Sequence, residues 1–127
     1  MRLPTRHSRL MTLFVALLLI LVVSSAADER IRFKRGAISA QATGYLNGSH
    51  EVCYLLKARS GQHMKVEADA KGSTVIEVAA PSGKKEGEPG GEFEQDLSET
   101  GDYRICVSES DRGEHWKGQF KLTVEVR

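Results

Sequence analysis

The sequence predicts an all-β fold, a single antiparallel β-sandwich of about eight strands and jelly-roll type, occupying residues 28–127. Three observations predict it. Apolar and polar residues alternate at period 2 over long stretches, the pattern of strands buried on one face. Glycine-rich turn signals break the chain at short intervals, as in sandwiches and small barrels. And roughly 100 residues supply one modest core and no more.

Taken in order, strands are expected at 31–33, 39–45, 52–58, 64–68, 75–79, 92–97, 103–107 and 120–126. The alternation is strictest in the last, where Phe120, Leu122, Val124 and Val126 interleave with Lys121, Thr123, Glu125 and Arg127. Met64, Val66 and Ala68 form a second such set, and Tyr103, Ile105 and Val107 a third. Between them stand Asn47-Gly48, Ser60-Gly61, Lys71-Gly72, Pro81-Ser82-Gly83, Pro89-Gly90-Gly91, Thr100-Gly101-Asp102 and Asp111-Arg112-Gly113. Residues 82–91 contain no apolar side chain and are expected to form a mobile surface loop.

The segment before the fold has another composition. Residues 1–27 hold 17 hydrophobic residues, three arginines and no acid. Arg2, Arg6 and Arg9 precede an apolar run over 10–23, and small residues follow up to Ala26 and Ala27. That is the order of a secretory signal peptide, with cleavage expected after Ala26 or Ala27. As a helix the run reaches about 21 Å, short of the roughly 30 Å hydrocarbon core, so a lasting membrane anchor is disfavoured. A periplasmic or secreted protein with no stable membrane insertion is expected. Without the leader the charge of +1 becomes −2, from 15 basic and 17 acidic residues. This argues against a strongly basic nucleic-acid binder.

Export gives meaning to the two cysteines. Cys53 and Cys106 are an even count in an oxidising compartment, so a disulfide is expected, with two separate buried thiols as the alternative. The alternation turns both outward, with Leu55 and Lys57 in one strand and Arg104 and Ser108 in the other. They can bridge only if their strands are neighbours in one sheet.

No catalytic constellation, metal centre or cofactor motif emerges. His50, His63 and His115 lie near acids, but no serine or cysteine stands in a nucleophile setting. His50-Glu51 and Glu114-His115 lack ligand spacing, and solvated loop histidines are the simpler reading. Glu92, Glu94 and Asp96 share one strand face, where mutual repulsion is expected to keep the strand soluble. One loop does stand out. Residues 111–118 join the two best strands and carry the only Trp, Trp116, together with His115, Arg112 and Lys117. Trp and Arg are enriched at binding hot spots. Equally, Trp116 can fold back to cover a sheet edge or the end of the core.

The order of these residues resembles a known family. Arg32-Phe33-Lys34-Arg35-Gly36-Ala37, then Ser39-Ala40 and Gly44, precede Tyr54-Leu55-Leu56-Lys57-Ala58-Arg59-Ser60-Gly61-Gln62-His63-Met64. Later come Pro81-Ser82-Gly83, Thr100-Gly101-Asp102-Tyr103-Arg104-Ile105 and the closing strand. The chain resembles the bacterial pre-peptidase C-terminal-like (PPC-like) β-sandwich, and within it the periplasmic inhibitors of goose-type (g-type) lysozyme. The resemblance implies a protein partner, a g-type lysozyme, whose cleft is plugged by loops from one end of the sandwich. It implies contacts from Arg112 and Lys117 near the lysozyme's catalytic carboxylate, from Trp116 in a sugar subsite, and from His115. Around the 47–51 turn it implies Tyr45, Asn47 and His50. The residues themselves also allow a stand-alone module that binds another envelope protein or glycan without inhibiting anything.

Overall fold

The computed structural model describes residues 28–48, 50–110 and 115–127. The leader, Ser49 and Arg112 lie outside the described residues. Nine strands form among the described residues: β1 (Glu29–Arg30), β2 (Ser39–Leu46), β3 (Val52–Ala58), β4 (His63–Ala70), β5 (Thr74–Ala79), β6 (Lys85–Gly90), β7 (Glu92–Asp96), β8 (Gly101–Glu109) and β9 (Gly118–Val126). They make two stacked sheets. Sheet A has the order β1-β3-β8-β5-β6 and sheet B the order β2-β9-β4-β7. Every pairing is antiparallel except the short β1–β3 contact, which is parallel. Among the described residues there is no helix, and none long and apolar enough to cross a membrane.

The period-2 sets form the core. Tyr54 and Leu56 of β3, Ile76 and Val78 of β5, and Tyr103, Ile105 and Val107 of β8 point inward from sheet A. Met64 and Val66 of β4, Phe93 of β7, and Phe120, Leu122, Val124 and Val126 of β9 meet them from sheet B. Burying side chains of this size contributes about 1.5–3 kcal/mol each. The Tyr103 hydroxyl donates to the Glu99 carbonyl (2.7 Å) and accepts from the Glu99 N–H (3.1 Å), tying the β7–β8 corner to β8.

Two expected elements differ. Residues 82–91 are not a mobile loop, because 85–90 pair with β5 as an edge strand. They carry no strand signature because the inward position is filled by Glu86, buried at 6% exposure, instead of a hydrophobe. Its carboxylate accepts from Gln95 Nε2 (2.7 Å) and Ser98 Oγ (3.0 Å), which satisfies a charge otherwise costly to bury. A register shift falls between Ile76 and Val78, opposite Gly87, whose φ of +63° suits glycine. The first strand, expected at 31–33, lies just upstream at 29–30; Ile31 still buries its side chain, at 7% exposure. Arg30 holds this segment through paired 2.8 Å hydrogen bonds from its guanidinium to Asp102.

The acids of β7 do not simply repel. His63 of β4 stands between them, Nδ1 at 2.7 Å from Asp96 and Nε2 at 3.0 Å from Glu94. The two carboxylates, Asp96 first, raise the pKa of the imidazole.

Cys53 and Cys106 form the disulfide, which closes the alternative of separate thiols. They are direct partners in the β3–β8 register, with Cα atoms 4.1 Å apart. That is the close spacing of a non-hydrogen-bonded antiparallel pair. The bond lies on the outer face of sheet A beside Glu77 and Arg104, yet these neighbours leave only 8% and 7% of the two residues exposed.

At Gly44 two aromatic side chains, one from each sheet, close in on the backbone. A Cβ there would lie 2.3 Å from the Phe120 ring and 2.7 Å from the Tyr54 hydroxyl. Phe120 meets Tyr54 edge to face, centroids 6.3 Å apart. The Tyr54 hydroxyl is buried and has no hydrogen-bond partner among the described residues, and burial raises its pKa.

Two outcomes follow for stability. Gly44→Ala should lower it by about 1–3 kcal/mol by overpacking, whereas Tyr54→Phe should leave it unchanged or raise it, since it removes an unsatisfied polar atom. Denaturant midpoints measure both, and a Tyr54→Phe loss as large as that of Gly44→Ala would contradict the packing described. Replacing both cysteines by alanine should cost about 4 kcal/mol in the chain-entropy estimate for a loop of this length; an unchanged melting curve would refute it.

Candidate binding surface at one end of the sandwich

Strand registers decide which loops meet. Leu46 pairs with Gly118, Tyr45 with Gln119, and Thr74 with Glu109. The β2–β3 turn (47–51), the β4–β5 turn (71–73) and the β8–β9 loop (110–117) therefore emerge at the same end. Tyr45, Asn47, His50, His115, Trp116 and Lys117 all stand there, though they come from segments about 70 residues apart. Arg112 lies outside the described residues. His63 is at the opposite end, beside Arg127.

Glu109, at the end of β8, links these loops. Its side chain is 10% exposed. One carboxylate oxygen pairs with His115 Nδ1, and the other accepts the Trp116 backbone N–H at 3.2 Å. A Cβ on Gly48 would lie 3.5 Å from the same carboxylate, so the β2–β3 turn packs against it too. Hydrogen bonding to His115, and then to the Trp116 N–H, holds the Glu109 carboxyl below the usual carboxylate range.

Trp116 is folded back, which is the second of the two roles its sequence position allows. Its indole N–H donates to the Ser73 carbonyl (3.0 Å), which also accepts the Ser110 N–H (3.0 Å). The ring lies so close over Gly72 that a Cβ there would be 2.4 Å from it. It is half-buried and packs on the edge of the core. Tyr45, by contrast, is 54% exposed, and Lys117 and His50 are exposed beside it. Sequence reasoning missed Glu109, Gly72 and Ser73. The first reads as an ordinary strand-end polar residue, and nothing local shows that a tryptophan 44 residues away will sit on Gly72.

An open groove of about 490 Å³ runs from this end onto the outer face of sheet A, lined by His50, Glu51, Glu77, Ser108, Glu109 and His115. Its carboxylates make it acidic, with Lys117 exposed in the adjoining loop. Two histidines and three acids are metal-ligand types, but their donor atoms do not converge. The one convergent set among the described residues is Glu51 with the two cysteine sulfurs. Bonded to each other, those sulfurs are not thiolates and do not make a metal centre.

The fold and this end together define the molecule as a small, disulfide-linked β-sandwich that presents convergent loops. The same architecture occurs in the periplasmic lysozyme inhibitors of g-type lysozyme. The structure of Aeromonas hydrophila PliG, a protein so described, superposes with a TM-score of 0.66 at 27% identity, over 80% of this chain and 100% of that one. Salmonella Typhimurium PliG gives 0.64 at 16% identity over 81% and 100%. An Escherichia coli PliG mutant gives 0.62 at 17% over the same shares, and these last two show the fold. No protein-family model and no curated protein sequence matches the chain.

The Glu109 clamp predicts a pH dependence. Its folded pKa is depressed, so its stabilisation is fully present above the ordinary glutamate value of about 4.3. It is lost as pH falls through the lower folded value. Trp116 fluorescence should therefore hold constant down to that range and change below it. In Glu109→Gln the acid transition should be absent; persistence of an identical transition in that variant would overturn the assignment.

Proposed function

We propose that this protein is an exported inhibitor of g-type lysozyme, a binding protein and not a catalyst, that engages the enzyme through the β2–β3, β4–β5 and β8–β9 loops. The single observation that carries the reading is the superposition on Aeromonas hydrophila PliG at 27% identity, over 80% of this chain and 100% of that one. The convergence of Tyr45, Asn47, His50, His115 and Lys117 at one end supports it. In this reading residues 1–27 are a signal peptide, 28–127 the mature domain, and the periplasm the site of action. Tyr45 is the exposed aromatic anchor, and Lys117, with Arg112, supplies positive charge toward the carboxylates of a lysozyme cleft. Trp116 acts here as a brace that ties residues 115–117 to the β4–β5 turn, limiting the entropy lost on binding.

The braced position of Trp116 also favours a second reading. With Trp116 committed to Ser73 and Gly72, the contact end offers fewer free aromatics for a sugar cleft. A module that binds another envelope protein or glycan needs no such plug.

A lysis assay with purified mature protein separates them. Wild type should inhibit g-type lysozyme at near-stoichiometric amounts, and Tyr45→Ala or Lys117→Glu should weaken inhibition by about tenfold or more, as expected for central contacts. No inhibition at micromolar excess rules out the first reading and leaves the second.

A further inference from the structure

The described strands leave four sheet edges, and three of them are guarded. The β1 edge is two residues long. The β6 edge carries a register irregularity, Pro89 without an N–H, and an inward-pointing Glu86. The β7 edge is five residues with Glu92, Glu94 and Asp96 facing out. These are the devices by which proteins prevent edge-to-edge pairing. The fourth edge, β2, has none of them. It is eight residues, Ser-Ala-Gln-Ala-Thr-Gly-Tyr-Leu, with no charge and no proline, in unbroken register with β9. Among the described residues, only β9 bonds to the backbone of 40–46, so one side of this ladder is open.

Two further observations indicate what fits there. The exposed large hydrophobic residues among those described are Ile38 (51%) and Tyr45 (54%), which flank the two ends of this strand. At the Ile38 end, Arg32, Lys34 and Arg35 are exposed and have no ion-pair partner among the described residues. Other cations, such as Arg30, Lys65, Lys85 and Arg104, are paired with acids. An open groove of about 370 Å³ brings Arg32 and Lys34 alongside Ser39, Ala40 and Gln41. Three unpaired cations within four positions, on a domain of charge −2, select a negatively charged occupant.

We propose that β2 is a docking strand for an extended acidic segment of a partner protein, which adds to sheet B through backbone hydrogen bonds along 40–46 and places its carboxylates against Arg32, Lys34 and Arg35. This is strand addition, in which the main chain supplies affinity and flanking side chains supply specificity. It shares only Tyr45 with the loop surface, and its test uses no lysozyme.

The probe is a labelled ten-residue peptide alternating glutamate with valine, with a lysine–valine peptide of the same length as control. Backbone amide spectra and hydrogen exchange of the isotopically labelled mature protein are followed during titration. The acidic peptide should shift the amides of 39–46 saturably and slow the exchange of those that face the open side. Binding should weaken with added salt and fall by about tenfold or more in R32E/K34E/R35E, because screening and charge reversal act on the same contacts. R32Q/K34Q/R35Q, which removes charge without reversing it, should give a smaller loss and keeps the test open if the reversed variant folds poorly. Four results would overturn the proposal: no saturable shift at millimolar peptide; equal binding of the lysine peptide; shifts confined to 47–51 and 115–117; or self-association through the same amides without peptide, which makes a second copy the occupant.

Discussion

The pairing of β3 with β8 is the constraint on which the rest of the molecule depends. Its register places Cys53 opposite Cys106, which locks the ladder from outside, and sends Tyr54, Leu56, Tyr103 and Ile105 inward. Strand β8 also pairs with β5, so the same ladder fixes where β5 begins and where Glu109 ends. From that position Glu109 holds His115 and the Trp116 amide. A slip of one residue would reverse every side chain in β3, moving Cys53 inward and Tyr54 out. The covalent bond and the core therefore specify the same register independently.

Across the core, sheet B answers with β9. Phe120 meets Tyr54 edge to face, and Gly44 of β2 leaves room for both rings. Along most of β2 the residues that face the core are small, Ala40, Ala42 and Gly44, and only Leu46 at its end buries a large side chain. At the loop end the same device recurs, with Gly72 making room for Trp116. Close approach at these two glycines, one under an aromatic pair and one under a tryptophan, sets the shape of the core and of the contact end. Their effects are distinct, because the first is felt in global stability and the second in the conformation of one loop.

Much of the fold was legible because burial imposes period 2. Strands β4, β8 and β9 carry uninterrupted alternation, and the outward direction of both cysteines follows from it. Strand β6 was not legible, since Glu86 occupies its inward slot and is satisfied by Gln95 and Ser98, partners visible only in three dimensions. The acids of β7 read as repelling because His63 belongs to another strand. The contact end was half legible. Asn47, His50, His115 and Lys117 announce themselves as polar loop residues, but their meeting is a product of registers that no local pattern encodes. Glu109 and the resting place of Trp116 depend on those registers as well.

The position of β9 carries one more consequence. It is the last strand in the chain and yet the second in sheet B, bonded to β2 on one side and to β4 on the other. Until residues 118–126 arrive, β2 has no partner in its sheet and the pair β4–β7 stands alone. Local collapse of the preceding hundred residues cannot substitute for it, because the missing element supplies Phe120, Leu122, Val124 and Val126 at the centre of the core. Sheet B is therefore held together through β9 alone, and loss of that one strand would separate β2 from the β4–β7 pair and open the core at its centre.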